Sequence, residues 1–310
     1  MPIGRIVVGL TGMSEMDTET PNGSTRAIRA FLVVAFGLSG VLAFVIGLTG
    51  GYRSPLIGLQ LLSMFIPALA VLAVRSVFGP QRTNWRQLPW TYVPVALLIL
   101  PVAMHLVMLP VVVAYEGNLP WQAWLTPQAD GLIHSSPERG WGVLTAGGLV
   151  RRVVLNAVVG VATVSVLAAF EEIGWRAWLL PRLLERTSPR HAVVLTAAIW
   201  AVWHVPLQLS GVQHIDGVSP AMLALTMPFG IFGTGLVIGW LWLRTESIWI
   251  VSLAHGALNN WGQYALKYMQ FVDAPDSVVG AAGLVGVLAL GALLLSRHMG
   301  QVTHQPRSAA

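Results

Sequence analysis

Residues 153–176 read VVLNAVVGVATVSVLAAFEEIGWR, an apolar run that ends in two adjacent carboxylates. The run is long enough to cross a membrane as a helix, and acidic side chains at membrane depth are costly to bury and are therefore candidates for function. Glu172 and Arg176 stand four residues apart with the acid first, the favourable order for a helical ion pair. Because successive residues turn by about 100° around a helix, Glu171 is predicted to face a different group.

The composition of the whole chain has the same apolar character. Of its 310 residues, 55% are hydrophobic and 10% are charged, and the mean hydropathy is +0.68, which indicates a polytopic membrane protein. The chain has no cysteine, which excludes disulfides, thiol nucleophiles and cysteine metal sites. The net charge of +5 comes mainly from Arg residues at the ends of apolar runs, a pattern typical of topology anchors and not of a nucleic-acid surface.

Eight apolar runs are each long enough to span about 30 Å of hydrocarbon. They cover residues 27–48, 56–78, 92–115, 153–170 with a continuation past the carboxylates, 192–209, 222–243, 248–266 and 278–295. The sequence therefore predicts an all-α polytopic membrane protein, a bundle of about eight transmembrane helices within residues 26–296. The polar stretch 1–25 predicts a disordered cytoplasmic N-terminus, and residues 297–310 predict a cytoplasmic tail.

The basic residues orient this bundle. With both termini in the cytoplasm, most Arg residues lie on the cytoplasmic side, in agreement with the positive-inside rule. The basic residues left on the other side are Arg53, Arg139, Arg151, Arg152 and Lys267. We therefore expect a multi-pass protein of the cell membrane whose longest link, 116–148, is outside. Its tryptophans, Trp121, Trp124 and Trp141, are expected to lie at the membrane interface.

Three histidines fall inside the apolar runs: His105, His204 and His255. Counted along their helices, His204 and His255 can reach the depth of Glu171, which is about 15 Å from the cytoplasmic end of its own helix. A single buried histidine such as His105 is interpreted as a satisfied core residue. Two imidazoles and two carboxylates on three helices that enter from one side predict a functional site opening towards the cytoplasm.

The spacings around these histidines suit hydrolysis. Trp200 and His204 are four residues apart, so the indole can pack against the imidazole. His255 and Asn259 have the same spacing, which places two donors side by side, as an oxyanion requires. A carboxylate near an imidazole suits general base activation of water. The combination predicts hydrolysis of a carbonyl compound, and a peptide bond is the expected target.

These motifs resemble a known family. On successive membrane helices the chain has Glu-Glu-x-x-x-Arg, aromatic-x-x-x-His and His-x-x-x-Asn, in that order. This pattern is similar to that of the CPBP family, the CAAX proteases and bacteriocin-processing enzymes. The family includes the Ras-converting type of CAAX endoprotease. The motif region would cover residues 153–268. The resemblance implies an eight-helix, glutamate-dependent intramembrane endopeptidase that acts in the lipid bilayer on a hydrophobic or lipidated peptide, with no nucleic-acid partner.

The resemblance also implies a role for each site residue. Glu171 would be the general base for the attacking water, assisted by His204, while His255 and Asn259 would form the oxyanion hole. Structural support would come from Glu172, Arg176 and Trp200. The aromatic residue is Phe in many relatives, and its replacement by Trp is expected to be mild because either ring can pack on the histidine.

A metal is the open alternative within this interpretation. Two Glu and two His could hold zinc, and the ligands would then be Glu171, His204 and His255. The sequence has no His-Glu-x-x-His pattern, which would put two ligands and a base on one helical face. Asn259 is a poor zinc ligand and a good hydrogen-bond donor, so the metal-free mechanism is favoured and zinc stays an alternative.

Other classes of protein are weighed against the same residues. An aspartyl intramembrane protease is excluded because every Asp lies outside the apolar runs. Residues 37–40 match the Gly-x-Ser-Gly of a serine protease, but small residues in a membrane helix are more often packing surfaces. A proton-coupled transporter could use Glu171 and Glu172 as a relay, although no matching halves are found. A non-catalytic immunity protein is the remaining alternative.

Overall fold

The computed structural model describes residues 21–78, 87–117, 125–135, 142–215, 218–269 and 276–297. Outside these ranges lie most of the predicted N-terminal segment, the three tryptophans expected at the interface, and the predicted tail from residue 298. The first helix begins at Pro21, six residues before the apolar run that predicted it.

Helices dominate the described residues. The α-helices are α1 (Pro21–Leu48), α2 (Ile66–Phe78), α3 (Val93–Glu116), α4 (Ala146–Leu155), α5 (Val161–Glu172), α6 (Leu180–Leu184), α7 (Pro189–Trp203), α8 (Val205–Leu209), α9 (Pro220–Thr245), α10 (Ile248–Met269) and α11 (Asp276–Arg297). Each of the eight predicted runs is helical, and six helices in the described ranges are long and apolar enough to cross a membrane. The prediction of an all-α polytopic membrane protein is confirmed.

Shorter helical segments complete these spans. The 3₁₀ helices are Gly51–Arg53, Ile57–Phe65 and Trp90–Tyr92, and the π-helices are Asn156–Gly160 and Ile173–Leu179. With its two π segments, the run α4 to α6 forms one 39-residue rod, Ala146–Leu184. The second π segment begins directly after Glu172, and because a π turn holds more residues than an α turn, it rotates the side chains that follow. Such π segments frequently occur at functional sites.

A small antiparallel sheet occupies part of the long link before the rod. Its strands are β1 (Leu125–Pro127), β2 (Ile133–Ser135) and β3 (Val143–Leu144), in the order β1-β2-β3. The turn between β1 and β2 holds Gly131 at φ 81°, and the Leu132 N–H donates to Asp130 Oδ1 at 2.9 Å. The sequence did not predict this sheet, because strands of two or three residues are too short to show an alternating pattern.

Close helix contacts join the second half of the rod to other helices of the bundle. The α5 helix packs against α10, the second π segment packs against α2, and α9 packs against α7 and α11. A Cβ placed at Gly256 of α10 would lie 2.3 Å from Ser165 Oγ, and one at Gly174 would lie 2.4 Å from Pro67 Cβ. These backbones approach more closely than a side chain would allow. The contact at Gly256 brings Glu172 next to α10.

Candidate active site

The two adjacent carboxylates end α5 and are both buried, Glu171 at 4% exposure and Glu172 at 0%. Arg176 Nη1 donates to Glu172 Oε1 at 3.0 Å, so the helical ion pair expected from the sequence is present. The same oxygen lies 2.8 Å from His255 Nδ1 on α10. The guanidinium and the imidazole compensate Glu172 Oε1 for its loss of water, while Oε2 has no hydrogen-bond partner in the described residues. The contact with His255 ties the rod to α10.

Glu171 points to a different helix, as the helical rotation predicted. The indole Nε1–H of Trp200, on α7, donates to Glu171 Oε2 at 2.9 Å. Within the described part of the chain, the other oxygen, Oε1, has no hydrogen bond from protein. One oxygen of Glu171 is therefore held and the other is available to a small polar molecule.

Trp200 lies at the centre of this group of side chains. Its backbone carbonyl accepts from His204 Nδ1 at 2.9 Å. Its ring centroid is 5.4 Å from that of His204 and 5.2 Å from that of His255, both edge-on. The guanidinium carbon of Arg176 lies 4.3 Å from the ring centroid. The expected packing of Trp200 on His204 is present, and the same ring also contacts the second imidazole.

The hydrogen bonds at Nδ1 determine which ring nitrogen each histidine offers. A backbone carbonyl can only accept, so a proton of His204 is assigned to Nδ1, and in its neutral form the ring offers a lone pair at Nε2. His255 Nδ1 faces the Glu172 carboxylate and is assigned in the same way. His255 donates from Nε2 only as an imidazolium, for which Glu172 is the adjacent counter-ion.

Two neighbouring asparagines on α10 have opposite environments. Asn259 is one helical turn beyond His255, and its side chain is exposed; it is not part of the hydrogen-bonded group around Trp200. Asn260 is 1% exposed, and its Oδ1 would be 2.9 Å from a Cβ placed at Gly160. Asn260 thus faces the first π segment of the rod, a contact that the sequence did not indicate.

An aromatic cluster joins α1 to the second π segment and to α7. Phe31 stacks on Trp178 at 4.7 Å and meets Trp175 edge-on at 5.4 Å. Trp203 Nε1 donates to the Ala35 carbonyl at 3.1 Å, and its ring lies 4.9 Å from that of His204. Sequence reasoning did not identify this cluster, although 13 tryptophans in one chain were a signal of aromatic packing.

His105, the third histidine of the apolar runs, lies outside the candidate site, and the hydrogen bonds of the site limit which atoms a zinc ion could bind. His105 lies on α3, where its Nδ1 is 2.8 Å from the Pro101 carbonyl, apart from the group around Trp200. Across the described ranges, no three His, Asp or Glu side chains are grouped as ligands for a metal ion. Glu171 Oε2 is already bonded to an indole and His255 Nδ1 to Glu172. These contacts leave Glu171 Oε1 and the Nε2 atoms of His204 and His255 as the atoms that could face a metal ion, and zinc stays an alternative.

Two comparisons with known proteins bear on the identity of this chain. Residues 152–261 match the family model described as Type II CAAX prenyl endopeptidase Rce1-like. A curated protein of Methanococcus maripaludis, CAAX prenyl protease 2, is 26% identical over 134 residues, which cover 43% of this chain and 48% of that protein. The chain spans about half the length of the curated relative it matches. Both findings confirm the family resemblance that the three motifs indicated.

Proposed function

We propose, on the premise that residues 152–261 carry the motif region of the CAAX protease family, that this chain is an intramembrane endopeptidase. Its substrate would be a membrane-associated peptide whose hydrophobic or prenylated part lies in the bilayer. The observation that carries the proposal is the buried Glu171 carboxylate, which has one oxygen held by Trp200 and shares that tryptophan with His204 and His255. Three helices contribute to this single group.

In the proposed reaction, Glu171 acts as the general base. Its Oε1 takes a proton from a water molecule that His204 Nε2 orients by accepting a hydrogen bond. The water oxygen attacks the peptide carbonyl carbon, and the electron pair of the C=O bond moves to the carbonyl oxygen. When this tetrahedral intermediate collapses, the C–N bond breaks and the proton on Glu171 passes to the leaving amine. The products are a carboxylic acid and an amine, and transfer of the acid proton to the amine then gives a carboxylate and an ammonium ion.

The negative charge on the tetrahedral intermediate needs donors. We assign this role to His255 Nε2–H, in the imidazolium form, and to the amide of Asn259 on the same face of α10. Glu172 and Arg176 do not touch the substrate in this scheme. They hold His255 through the Nδ1 contact, which fixes the direction of the opposite ring nitrogen.

The proposal is tested with the purified protein in lipid nanodiscs and a fluorogenic peptide that ends in a farnesylated CAAX sequence. Mass spectrometry identifies the new termini, and a parallel reaction contains a zinc chelator. We expect cleavage by the wild-type protein, loss of at least about 100-fold in Glu171→Gln, and no effect of the chelator. Cleavage that is lost on chelation and restored by zinc would contradict the metal-free scheme.

Glu185→Gln is the matched control, because Glu185 follows α6 at the end of the same rod and its side chain is exposed. This variant undergoes the same chemical change without touching the site, and we expect wild-type activity. If Glu171→Gln retained full cleavage, the proposed base would be wrong. Folded wild-type protein that cleaves no prenylated or unprenylated membrane peptide would favour the transporter or immunity alternatives.

A further inference from the structure

The hydrogen bond between Trp200 and Glu171 gives the tryptophan a role that ring packing alone does not. Its indole Nε1–H lies 2.9 Å from Glu171 Oε2, and both side chains are buried. We infer that Trp200 is a positioning residue for Glu171, holding Oε2 so that Oε1 is presented to the attacking water. This inference deepens the proposed function and rests on it.

The indole is itself held from several sides, so the direction of its N–H is fixed. Trp200 is 2% exposed. The Arg176 guanidinium lies over its ring, and both imidazoles meet the ring edge-on. The α9 helix approaches the ring at Gly235, where a Cβ would lie 3.4 Å from Trp200 Cε3. A glutamate bonded to such a donor loses the freedom of its flexible side chain.

A phenylalanine at this position could keep much of the packing but could not donate the hydrogen bond. The expectation that Trp and Phe are nearly equivalent here considered ring packing only. Hydrogen bonds to a charged group are about twice as strong as those between neutral groups. Loss of the hydrogen bond from the indole should therefore lower the rate of cleavage by roughly tenfold to hundredfold, if that rate depends on the orientation of the carboxylate.

The experiment compares Trp200→Phe with Trp178→Phe. Trp178 is a matched control because it is also buried and lies under a guanidinium, with Arg182 Cζ 4.1 Å from its ring centroid, while its Nε1 has no partner in the described residues. The substrate is the farnesylated fluorogenic peptide. We expect Trp200→Phe to lower kcat about tenfold or more with KM within about twofold of wild type, and Trp178→Phe to leave kcat within about twofold.

A second readout does not depend on activity. In protein labelled with ¹⁵N-tryptophan, the indole N–H resonance that disappears in Trp200→Phe should shift markedly in Glu171→Gln and stay in place in Glu185→Gln. The inference would be overturned if this resonance did not shift in Glu171→Gln, or if kcat were unchanged in Trp200→Phe.

If wild-type protein cleaves no peptide, the proposed function fails, and the inference that Trp200 positions a catalytic base fails with it. The indole resonance then decides only whether the hydrogen bond exists.

Discussion

Glu171 and Glu172 are neighbours in the chain, yet each carboxylate contacts a different helix. The Trp200 indole on α7 holds Glu171, while His255 on α10 and Arg176 hold Glu172. Some single substitutions should therefore lower the rate of cleavage, while others should mainly lower the stability of the bundle.

His204→Ala should abolish cleavage without unfolding the protein, because the imidazole is proposed to orient the attacking water. Loss of such a group costs about 10²–10⁴-fold. His105→Ala is the control, since His105 also bonds a carbonyl four residues earlier on its helix but lies apart from the site. Initial rates with the farnesylated peptide check both variants, and equal losses in the two would argue against a specific role for His204.

Arg176→Ala should mainly lower stability. The substitution leaves Glu172 buried at 0% exposure without its guanidinium partner, which costs about 3 kcal/mol in a buried pair. The midpoint of thermal unfolding in nanodiscs should fall clearly, whereas Arg186→Ala, at an exposed residue just after the rod, should leave it near the wild-type value. An unchanged midpoint in Arg176→Ala would show that the ion pair is not needed for the fold.

Asn259→Ala and Asn260→Ala should have opposite effects. Asn259 is exposed on the face that carries His255, so its loss should lower kcat by about 10²-fold, as for one oxyanion donor, with little change in stability. Asn260 is buried against the first π segment, so its loss should reduce stability first. Measuring kcat and the thermal midpoint for both variants checks this, and the reverse pattern would assign the oxyanion role to Asn260.

At the scale of the elements, the contact between α5 and α10 determines whether His255 reaches Glu172. Gly256→Ala should push these helices apart, because the new Cβ would lie 2.3 Å from Ser165 Oγ. We expect lower stability together with lower kcat. Gly262→Ala on the same helix is the control, since nothing lies within 4 Å of a Cβ there. Wild-type behaviour of Gly256→Ala would mean that the helices can separate without disturbing the site.

At the scale of the whole molecule, the basic residues predict that both termini are cytoplasmic. The absence of cysteine makes single-cysteine variants a clean test. In intact cells, a membrane-impermeant thiol reagent should label Asp130→Cys, in the turn before β2, and should not label Glu185→Cys until the cells are opened. The opposite labelling would invert the topology and place the opening of the site on the outer side.

Much of the fold could be predicted from local sequence. The apolar length of each run was enough to predict the helices, because a membrane span depends on composition within one segment. The candidate residues Glu171, His204 and His255 followed from polar groups at matching depth. The small sheet was missed, since its strands are too short to leave a pattern, and so were the two π segments, which have no reliable sequence signal.

The sequence by itself determined that this chain crosses the membrane several times and that its carboxylates and imidazoles lie at similar depth. It also determined the ion pair between Glu172 and Arg176, since both partners lie on one helix. Only the tertiary structure decided that Trp200 holds Glu171, that His255 meets Glu172, and that Asn259 is exposed while Asn260 is buried. The physical reason is that these contacts join different helices, whose rotation and spacing depend on the π segments and on the glycine contacts between backbones.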